Sequence, residues 1–178
     1  MDIVITPTKL SGSITVIPSK SNAHWLLICA ALCDTPTVIE GVTYSKDIEA
    51  TVACVRAALA DVTCEADRIT VAPRAQKKSG VLLDCGESGS TLRFLIPIMA
   101  ALGGARFTGH GRLSERPLTP IYPVLCEHGC TLSAEGEFPF SVDGRLQGSE
   151  FVIDGGLSSQ FVSGLLMAAP LLGESCRI

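Results

Sequence analysis

Three segments of this sequence repeat one pattern at a constant spacing. Each is a serine-rich stretch followed by an apolar run of helical length, and the three are Pro18–Leu32, Glu87–Leu102 and Gly156–Ala169. The serines at positions 21, 90 and 159 are spaced 69 residues apart in both steps. Self-similarity at a fixed period indicates a domain built from copies of one supersecondary unit. We therefore predict an α/β fold of repeated βαβαββ units.

The first unit shows the internal order most fully. Apolar periodicity and turn residues predict a helix, a strand, a second helix and a two-stranded hairpin. The predicted bounds are a helix from Ser21 to about Cys33, a strand at Thr37–Glu40, a helix capped within Ser45–Asp47 and ending near Ala60, and strands at Val62–Glu65 and Arg68–Ala72.

The second and third units follow the same order. In the second unit the sequence predicts a helix that ends at Gly103–Gly104 and a strand at Arg106–Thr108. A second helix is predicted from near Pro117 to Gly129, with an irregular start because of Pro123. A hairpin of Thr131–Ala134 and Pro139–Val142 is predicted after it. The third predicts a strand at Phe151–Asp154, a helix at Ser159 and a strand beginning at Ser175–Ile178. The third repeat is therefore incomplete.

Composition narrows the classes of protein that this chain can represent. A length of 178 residues fits one compact domain or part of a larger protein, and a net charge of −4 argues against non-specific nucleic-acid binding. Apolar runs such as Trp25–Cys33 are about half the length of a membrane-spanning helix and are interpreted as buried helices. The N-terminus shows no export signal, so we expect a cytoplasmic protein without a membrane partner.

The eight cysteines suggest free thiols in a reducing compartment. Cys29 with Cys33, and Cys126 with Cys130, have the i,i+4 spacing of one helix face. His128 lies inside the second pair, but no second paired cluster at zinc-finger spacing accompanies it. We therefore predict no metal site and interpret these cysteines as small buried apolar residues.

Basic and hydroxyl residues are concentrated at the repeated helix starts, where free backbone N–H groups favour anions. Lys20 at such a start suits a bound anion, although a solvated lysine is the alternative. Arg93 lies in an apolar segment and needs either Glu87 or an anionic ligand as its partner. Arg112 and Arg116 precede the next helix.

Four motifs of this sequence resemble those of the 5-enolpyruvylshikimate-3-phosphate (EPSP) synthase family. They occur in the same order as in that family and are Ser19–Ser21 before an apolar helix, Gly89–Arg93, Ser114–Pro117 and Asp154–Phe161. The resemblance covers nearly the whole chain. It implies the enolpyruvate-transferase fold (an inside-out α/β barrel), with two domains of three repeats and substrates in the cleft between them.

The resemblance also implies an activity and roles for particular residues. The family moves the enolpyruvyl group of phosphoenolpyruvate to the 5-hydroxyl of shikimate 3-phosphate and releases phosphate, in aromatic amino-acid biosynthesis and without a cofactor. The implied phosphoenolpyruvate-binding residues are Lys20, Gly89, Arg93 and Arg116. The implied shikimate-3-phosphate-binding residues are Lys20, Ser21, Trp25, Ser158, Ser159 and Gln160. Lys20 is the implied catalytic residue.

Two departures from the family pattern affect these expectations. Trp25 stands where the family has an arginine that binds the shikimate carboxylate, so the substrate is held differently, the position is altered or the activity is impaired. The family's acid/base carboxylates lie in a C-terminal half beyond this chain, which is therefore expected to be inactive alone. We expect residues 1–12 to form a strand segment shared with the C-terminal domain, and residues 13–178 to form an N-terminal domain truncated in its third repeat.

Two other interpretations stay open at this point. UDP-N-acetylglucosamine enolpyruvyl transferases share the fold, but that family has Lys-Asn at the first motif and a cysteine in the loop that here reads Gly109–Arg112. A non-catalytic binding domain of the same fold is the other alternative, because Trp25 replaces the expected arginine. Calorimetry that compares the binding of shikimate 3-phosphate with that of UDP-N-acetylglucosamine distinguishes an EPSP synthase, the related transferase and a non-catalytic domain.

Overall fold

The computed structural model describes residues 3–4, 6–9 and 11–178. Helices and strands alternate in two and a half similar units. Their bounds are α1 (Lys20–Leu32), β1 (Thr37–Glu40), α2 (Lys46–Ala58), β2 (Ala60–Cys64), β3 (Arg68–Pro73), β4 (Leu82–Asp84), α3 (Gly89–Ala101), β5 (Gly104–Thr108), α4 (Ile121–Glu127), β6 (Cys130–Leu132), β7 (Phe140–Gly144) and α5 (Ser159–Ala168), which a 3₁₀ turn at Ala169–Leu172 follows.

A serine side chain caps the first helix of every unit. The hydroxyl oxygens of Ser19, Ser88 and Ser158 accept hydrogen bonds from backbone N–H groups in the first turns of α1, α3 and α5. Each cap satisfies one of the donors that a helix N-terminus leaves free. The caps lie 69 and then 70 residues apart, so the predicted repeat holds with one extra residue before α5.

The strands form one sheet in each of the first two units. In the first, β3 lies between β1 and β2 and pairs antiparallel with both. In the second, the order is β4-β5-β7-β6, in which β4 and β5 are parallel and the other pairs antiparallel. The predicted strand Thr37–Glu40 has the observed bounds, and the other predicted strands of these units shift by one or two residues.

Three predicted elements are wrong in their extent. The helix predicted from near Pro117 begins at Ile121, and Pro123 lies in its first turn, where a backbone N–H is not needed. No strand forms at Phe151–Asp154 or at Ser175–Ile178, where strands were predicted, and the two segments meet only in a single parallel bridge between Glu150 and Arg177.

Helix α3 forms the centre of the core and packs mainly on α5. Eleven of its thirteen residues are buried, as expected for a helix that is apolar on all sides. Arg93 of α3 contacts Gln160 and Phe161 of α5, and Pro97, one turn later, lies against Gly164. Contacts that advance together along both helices show that α3 and α5 are parallel, so their N-termini adjoin.

The interpretation of Trp25–Cys33 as a buried helix is partly wrong. Trp25 is 45% exposed and Leu26 53% exposed, and Cys29 is also exposed. Trp25 and Cys29 line an apolar groove of about 250 Å³ with three residues of α5, namely Ser163, Leu166 and Met167. One face of α1 therefore packs in the core, and the opposite face borders this open groove.

The cysteine interpretation is also mostly wrong. Of the two i,i+4 pairs only Cys130 is buried, whereas Cys29, Cys33 and Cys126 are exposed. Among the described residues no group of three or more histidine, cysteine or acidic side chains could hold a metal ion. None of the helices in the described ranges has the length and hydropathy needed to cross a bilayer.

The close approach of α3 and α5 depends on Gly164. Pro97 has no N–H, so the carbonyl of Arg93 lacks its usual helical donor, and α5 approaches at this point. A Cβ on Gly164 would lie 2.7 Å from Pro97 Cγ and 2.8 Å from the Arg93 carbonyl oxygen. We expect Gly164→Ala to lower the free energy of unfolding by about 1–2 kcal/mol, because overpacking outweighs the gain in helix propensity.

Urea denaturation measures this effect directly. The matched control is Ser163→Ala on the adjacent, groove-facing position of α5, for which we expect a change within about 0.5 kcal/mol. A Gly164→Ala variant as stable as the unmodified chain would contradict the expectation.

Candidate functional site

Arg93 lies where the N-terminal turns of α3 and α5 meet. Its Nη1 donates to Gln160 Oε1 at 3.2 Å, and its guanidinium lies 5.2 Å from the centre of the Phe161 ring. Gln160 Nε2 in turn donates to Ser90 Oγ at 2.7 Å. Gln160 therefore joins the two helix starts and fixes the orientation of the arginine head group.

The Arg93 guanidinium has no carboxylate partner among the described residues, and its Nε is buried without a hydrogen bond there. The proposed partner Glu87 is wrong, because the Glu87 side chain lies against Gly111 instead. Burial, and then the like charge of Arg116, lower the pKa of Arg93. A part-buried cation without a carboxylate partner is unfavourable, which indicates a site for an anion.

A cavity of about 370 Å³ opens in front of Arg93. Its lining is Arg93, Arg112, Glu115, Arg116 and Pro117. Arg112 pairs with Glu115 at 3.0 Å between two exposed side chains, whereas Arg116 has no ion pair within the described ranges. The cavity therefore presents two arginines whose charges are not neutralised locally.

The absence of a side chain on Gly89 leaves the space that the Arg116 guanidinium occupies. Gly89 is the first residue of α3 and is buried, and a Cβ there would lie 2.7 Å from Arg116 Nη1. The guanidinium of Arg116 therefore lies directly over the first turn of α3. Backbone N–H groups of that turn and two arginines converge on one small region, which is suited to a phosphate or carboxylate.

Lys20 forms an ion pair that sequence analysis did not anticipate. Its Nζ lies 2.6 Å from Oδ2 of Asp47, in the first turn of α2, and both side chains are partly exposed. A carboxylate of the chain itself therefore occupies the anion position that was predicted beside Lys20. Thr91 Oγ1 of α3 also lies 3.4 Å from the backbone carbonyl oxygen of Asp47, so the starts of α1, α2 and α3 are in contact.

The remaining predicted residues divide between this region and the groove. Ser158 caps α5, and Ser21 and Ser159 are exposed in the first turns of their helices. Trp25 lies one turn further along α1, edge-on to Phe94 with ring centres 6.5 Å apart, and borders the apolar groove. The structure thus brings Gly89, Arg93, Arg116 and Gln160 together, connects Lys20 to them through α2, and leaves Trp25 at the groove.

Sequence analysis missed Asp47 and Ser90. Asp47 was considered only as a helix cap, although an acidic residue in a first turn is also available to a neighbouring cation. Ser90 is the repeat equivalent of Ser21 and Ser159, so the 69-residue spacing already marked it. Its contact with Gln160 needs two helices 70 residues apart in sequence, which no local pattern reveals.

Comparisons with known proteins agree on one family. The family model for EPSP synthase (3-phosphoshikimate 1-carboxyvinyltransferase) matches residues 4–178. A 3-phosphoshikimate 1-carboxyvinyltransferase of Clostridium perfringens is 41% identical over 180 residues, covering 99% of this chain and 42% of that protein. The enzyme of the same name from Clostridium beijerinckii is 40% identical over 187 residues, covering 99% and 43%.

A solved structure of similar fold is that of EPSP synthase from Acinetobacter baumannii. Its TM-score is 0.76 at 25% sequence identity, over 89% of this chain and 38% of that chain. The chain therefore spans less than half the length of the relatives it matches.

Proposed function

This chain belongs to the EPSP synthase family, and we propose that it forms one side of the substrate cleft of a 3-phosphoshikimate 1-carboxyvinyltransferase. The enzyme would transfer the enolpyruvyl group of phosphoenolpyruvate to the 5-hydroxyl of shikimate 3-phosphate. The observation that carries the proposal is Arg93, a part-buried cation held by Gln160 beside Arg116 and without a carboxylate partner among the described residues.

Phosphoenolpyruvate would bind at the cavity in front of α3. Arg93 and Arg116 supply paired donors for its phosphate and carboxylate groups, and the backbone at Gly89 borders the same space. The 5-hydroxyl adds to the central carbon of phosphoenolpyruvate while the methylene carbon gains a proton, and the resulting tetrahedral intermediate then loses phosphate together with a proton from the same methyl carbon. Lys20 and the two arginines would stabilise negative charge on that intermediate and on the leaving phosphate.

Shikimate 3-phosphate would bind between the starts of α1 and α5. The exposed hydroxyls of Ser21 and Ser159, the cap residue Ser158 and the amide of Gln160 are donors suited to its phosphate and ring hydroxyls. Lys20 would contact both substrates, and for this its ammonium must exchange Asp47 for a substrate anion. That exchange is feasible because the Lys20–Asp47 pair is partly exposed.

The rest of the cleft would come from a C-terminal domain of the same protein, in the cytoplasm. Proton transfer from the 5-hydroxyl, to the methylene carbon and later from it needs acid/base groups within hydrogen-bond reach, and we assign these to that domain. We also propose that residues 1–12 pack on it. The described residues among 3–9 and 11–19 are exposed, and Ile14, Val16 and Ile17 are each more than three-quarters exposed.

Calorimetry on this chain tests the proposal against its two rivals. We expect weak binding of shikimate 3-phosphate, no binding of UDP-N-acetylglucosamine, and no phosphate release when both substrates are supplied. Binding of UDP-N-acetylglucosamine would favour the related transferase. Binding of neither, even after the C-terminal domain is restored, would favour a non-catalytic domain, and phosphate release by this chain alone would overturn the assignment of acid/base groups.

Trp25 provides a second test of the shikimate-3-phosphate site. An arginine here would project from the α1 face that carries Ser21 one turn earlier and could form a charge-assisted pair with the substrate carboxylate, worth about 1.5–3 kcal/mol. We expect Trp25→Arg to tighten binding of shikimate 3-phosphate about tenfold or more in calorimetry. Leu26→Arg, at the next exposed position, is the matched control and should leave the affinity unchanged. Equal affinities of Trp25→Arg and the unmodified chain would contradict this placement.

A further inference from the structure

Four buried polar side chains form a continuous hydrogen-bonded chain beneath the candidate site. Thr51 Oγ1 lies 2.7 Å from His24 Nδ1 and 2.6 Å from Thr91 Oγ1, and Thr91 Oγ1 lies 2.7 Å from Ser88 Oγ. All four residues are at most 1% exposed, and they are the buried polar residues of the described core. None of them has a role in the substrate contacts proposed above.

The unpartnered ring nitrogen of His24 decides which group donates and which accepts in each of these hydrogen bonds. Nε2 is buried and has no hydrogen-bond partner among the described residues, so a proton there would be a buried donor without an acceptor. The neutral tautomer with its proton on Nδ1 avoids that cost, and Nδ1 then donates to Thr51. The Thr51 hydroxyl donates to Thr91 and the Thr91 hydroxyl to Ser88, which uses one proton per group.

Each of these hydrogen-bonded side chains lies close to a residue of the candidate site. His24 follows Lys20 by one turn of α1, Thr51 follows Asp47 by one turn of α2, and Thr91 lies two residues before Arg93 on α3. These hydrogen bonds therefore link the first turns of three helices, of which α1 and α2 belong to the first unit and α3 to the second. Hydrogen bonds in a buried, low-dielectric setting are directional and strong, so they fix these turns relative to one another.

We propose that Thr51 is a positioning residue, whose hydroxyl sets the separation of Lys20 on α1 and Arg93 on α3. Thr51 occupies the middle of the chain and is the member that bonds both α1 and α3. Its hydroxyl also lies 3.2 Å from the carbonyl of Asp47, the partner of Lys20. This inference rests on the proposed function, because the separation matters only if both cations bind one pair of substrates.

The test compares Thr51→Val, which keeps the branched shape and removes the hydroxyl, with Thr51→Ser, which keeps the hydroxyl. Val124→Ala on α4 is the control for a general loss of stability, because Val124 is buried away from the hydrogen-bonded chain. Two properties are measured in this chain under conditions where every variant is folded. They are the affinity for shikimate 3-phosphate and the hydrogen-exchange rates of the amides at positions 20–24 and 89–93.

We expect Thr51→Val to weaken binding about tenfold and to speed exchange at both helix starts about tenfold. Thr51→Ser should restore both properties to within about twofold, and Val124→Ala should change neither at those positions. A folded Thr51→Val variant with unchanged exchange would overturn the proposal, as would faster exchange with unchanged affinity. If the unmodified chain binds no shikimate 3-phosphate, the proposed function fails, and the exchange rates alone then decide whether Thr51 fixes the helix starts.

Discussion

Arg93→Met is expected to lower kcat/KM by about two to three orders of magnitude in the enzyme that carries this chain and its C-terminal domain. Truncating one member of a buried charge pair costs about 2–5 kcal/mol, and Arg93 would form such a pair with phosphoenolpyruvate. Methionine has a similar length and keeps the apolar contact with Phe161. Phosphate release at varied phosphoenolpyruvate concentration measures the loss.

The same substitution should leave stability unchanged or raise it. Without substrate, the Arg93 side chain is part-buried, its Nε has no hydrogen bond and no carboxylate faces it among the described residues, so its removal relieves an uncompensated charge. Opposite effects on activity and on the free energy of unfolding distinguish a ligand-binding arginine from a structural one. Arg68→Met is the control, because Arg68 is an exposed member of a surface pair with Glu40. A kcat/KM for Arg93→Met within tenfold of the parent value would refute the assignment.

His24 is expected to make the stability of this chain fall between about pH 6.5 and pH 4. Burial lowers the pKa of His24 from 6.5 to about 4; the charge of Asp47 opposes this shift, and the charge of Lys20 adds to it. Between these values the unfolded chain binds a proton that the folded chain does not, so stability present above pH 6.5 is lost as the pH falls. The slope is about 1.4 kcal/mol per pH unit, or about 3 kcal/mol over the window.

Urea denaturation at pH 7, 6 and 5 checks this expectation. His24→Asn keeps a donor near the Nδ1 position and removes the titration, so the difference in unfolding free energy between parent and variant should shrink steadily as the pH falls. His110→Asn, at an exposed histidine, should keep the pH dependence of the parent. Parallel curves for the parent and His24→Asn would show that His24 does not carry the effect.

Much of the fold could be predicted from sequence because its signals are local. Serine caps and apolar periodicity are contained within one or two helical turns, and they located α1, α2, α3 and α5 to within two or three residues. The failures depend on distant partners. The segment after Glu150 reads as a strand, but its pairing depends on Arg177. The start of α4 was misplaced because Pro117 and Pro120 fit a first turn as well as Pro123 does.

The candidate site could be predicted residue by residue, but not as an arrangement. The motifs identified Arg93 and Gln160 separately, yet the hydrogen bond between them spans 67 residues and depends on how α3 packs against α5. Glu87 was the nearest carboxylate in sequence and was the wrong partner, because the loop turns its side chain toward Gly111. Asp47 is 27 residues from Lys20 and became its partner through the packing of α1 on α2.

The contact between Gly164 and the Arg93 carbonyl has a consequence for how a cleft at this surface could close. Backbone meets backbone there without an intervening side chain, so α3 and α5 have little freedom to slide past each other. Arg93 and Gln160 should therefore move as one rigid unit in any closure of the proposed cleft. Lys20 is held only by a partly exposed ion pair with Asp47, so its side chain can change position to meet the proposed substrates.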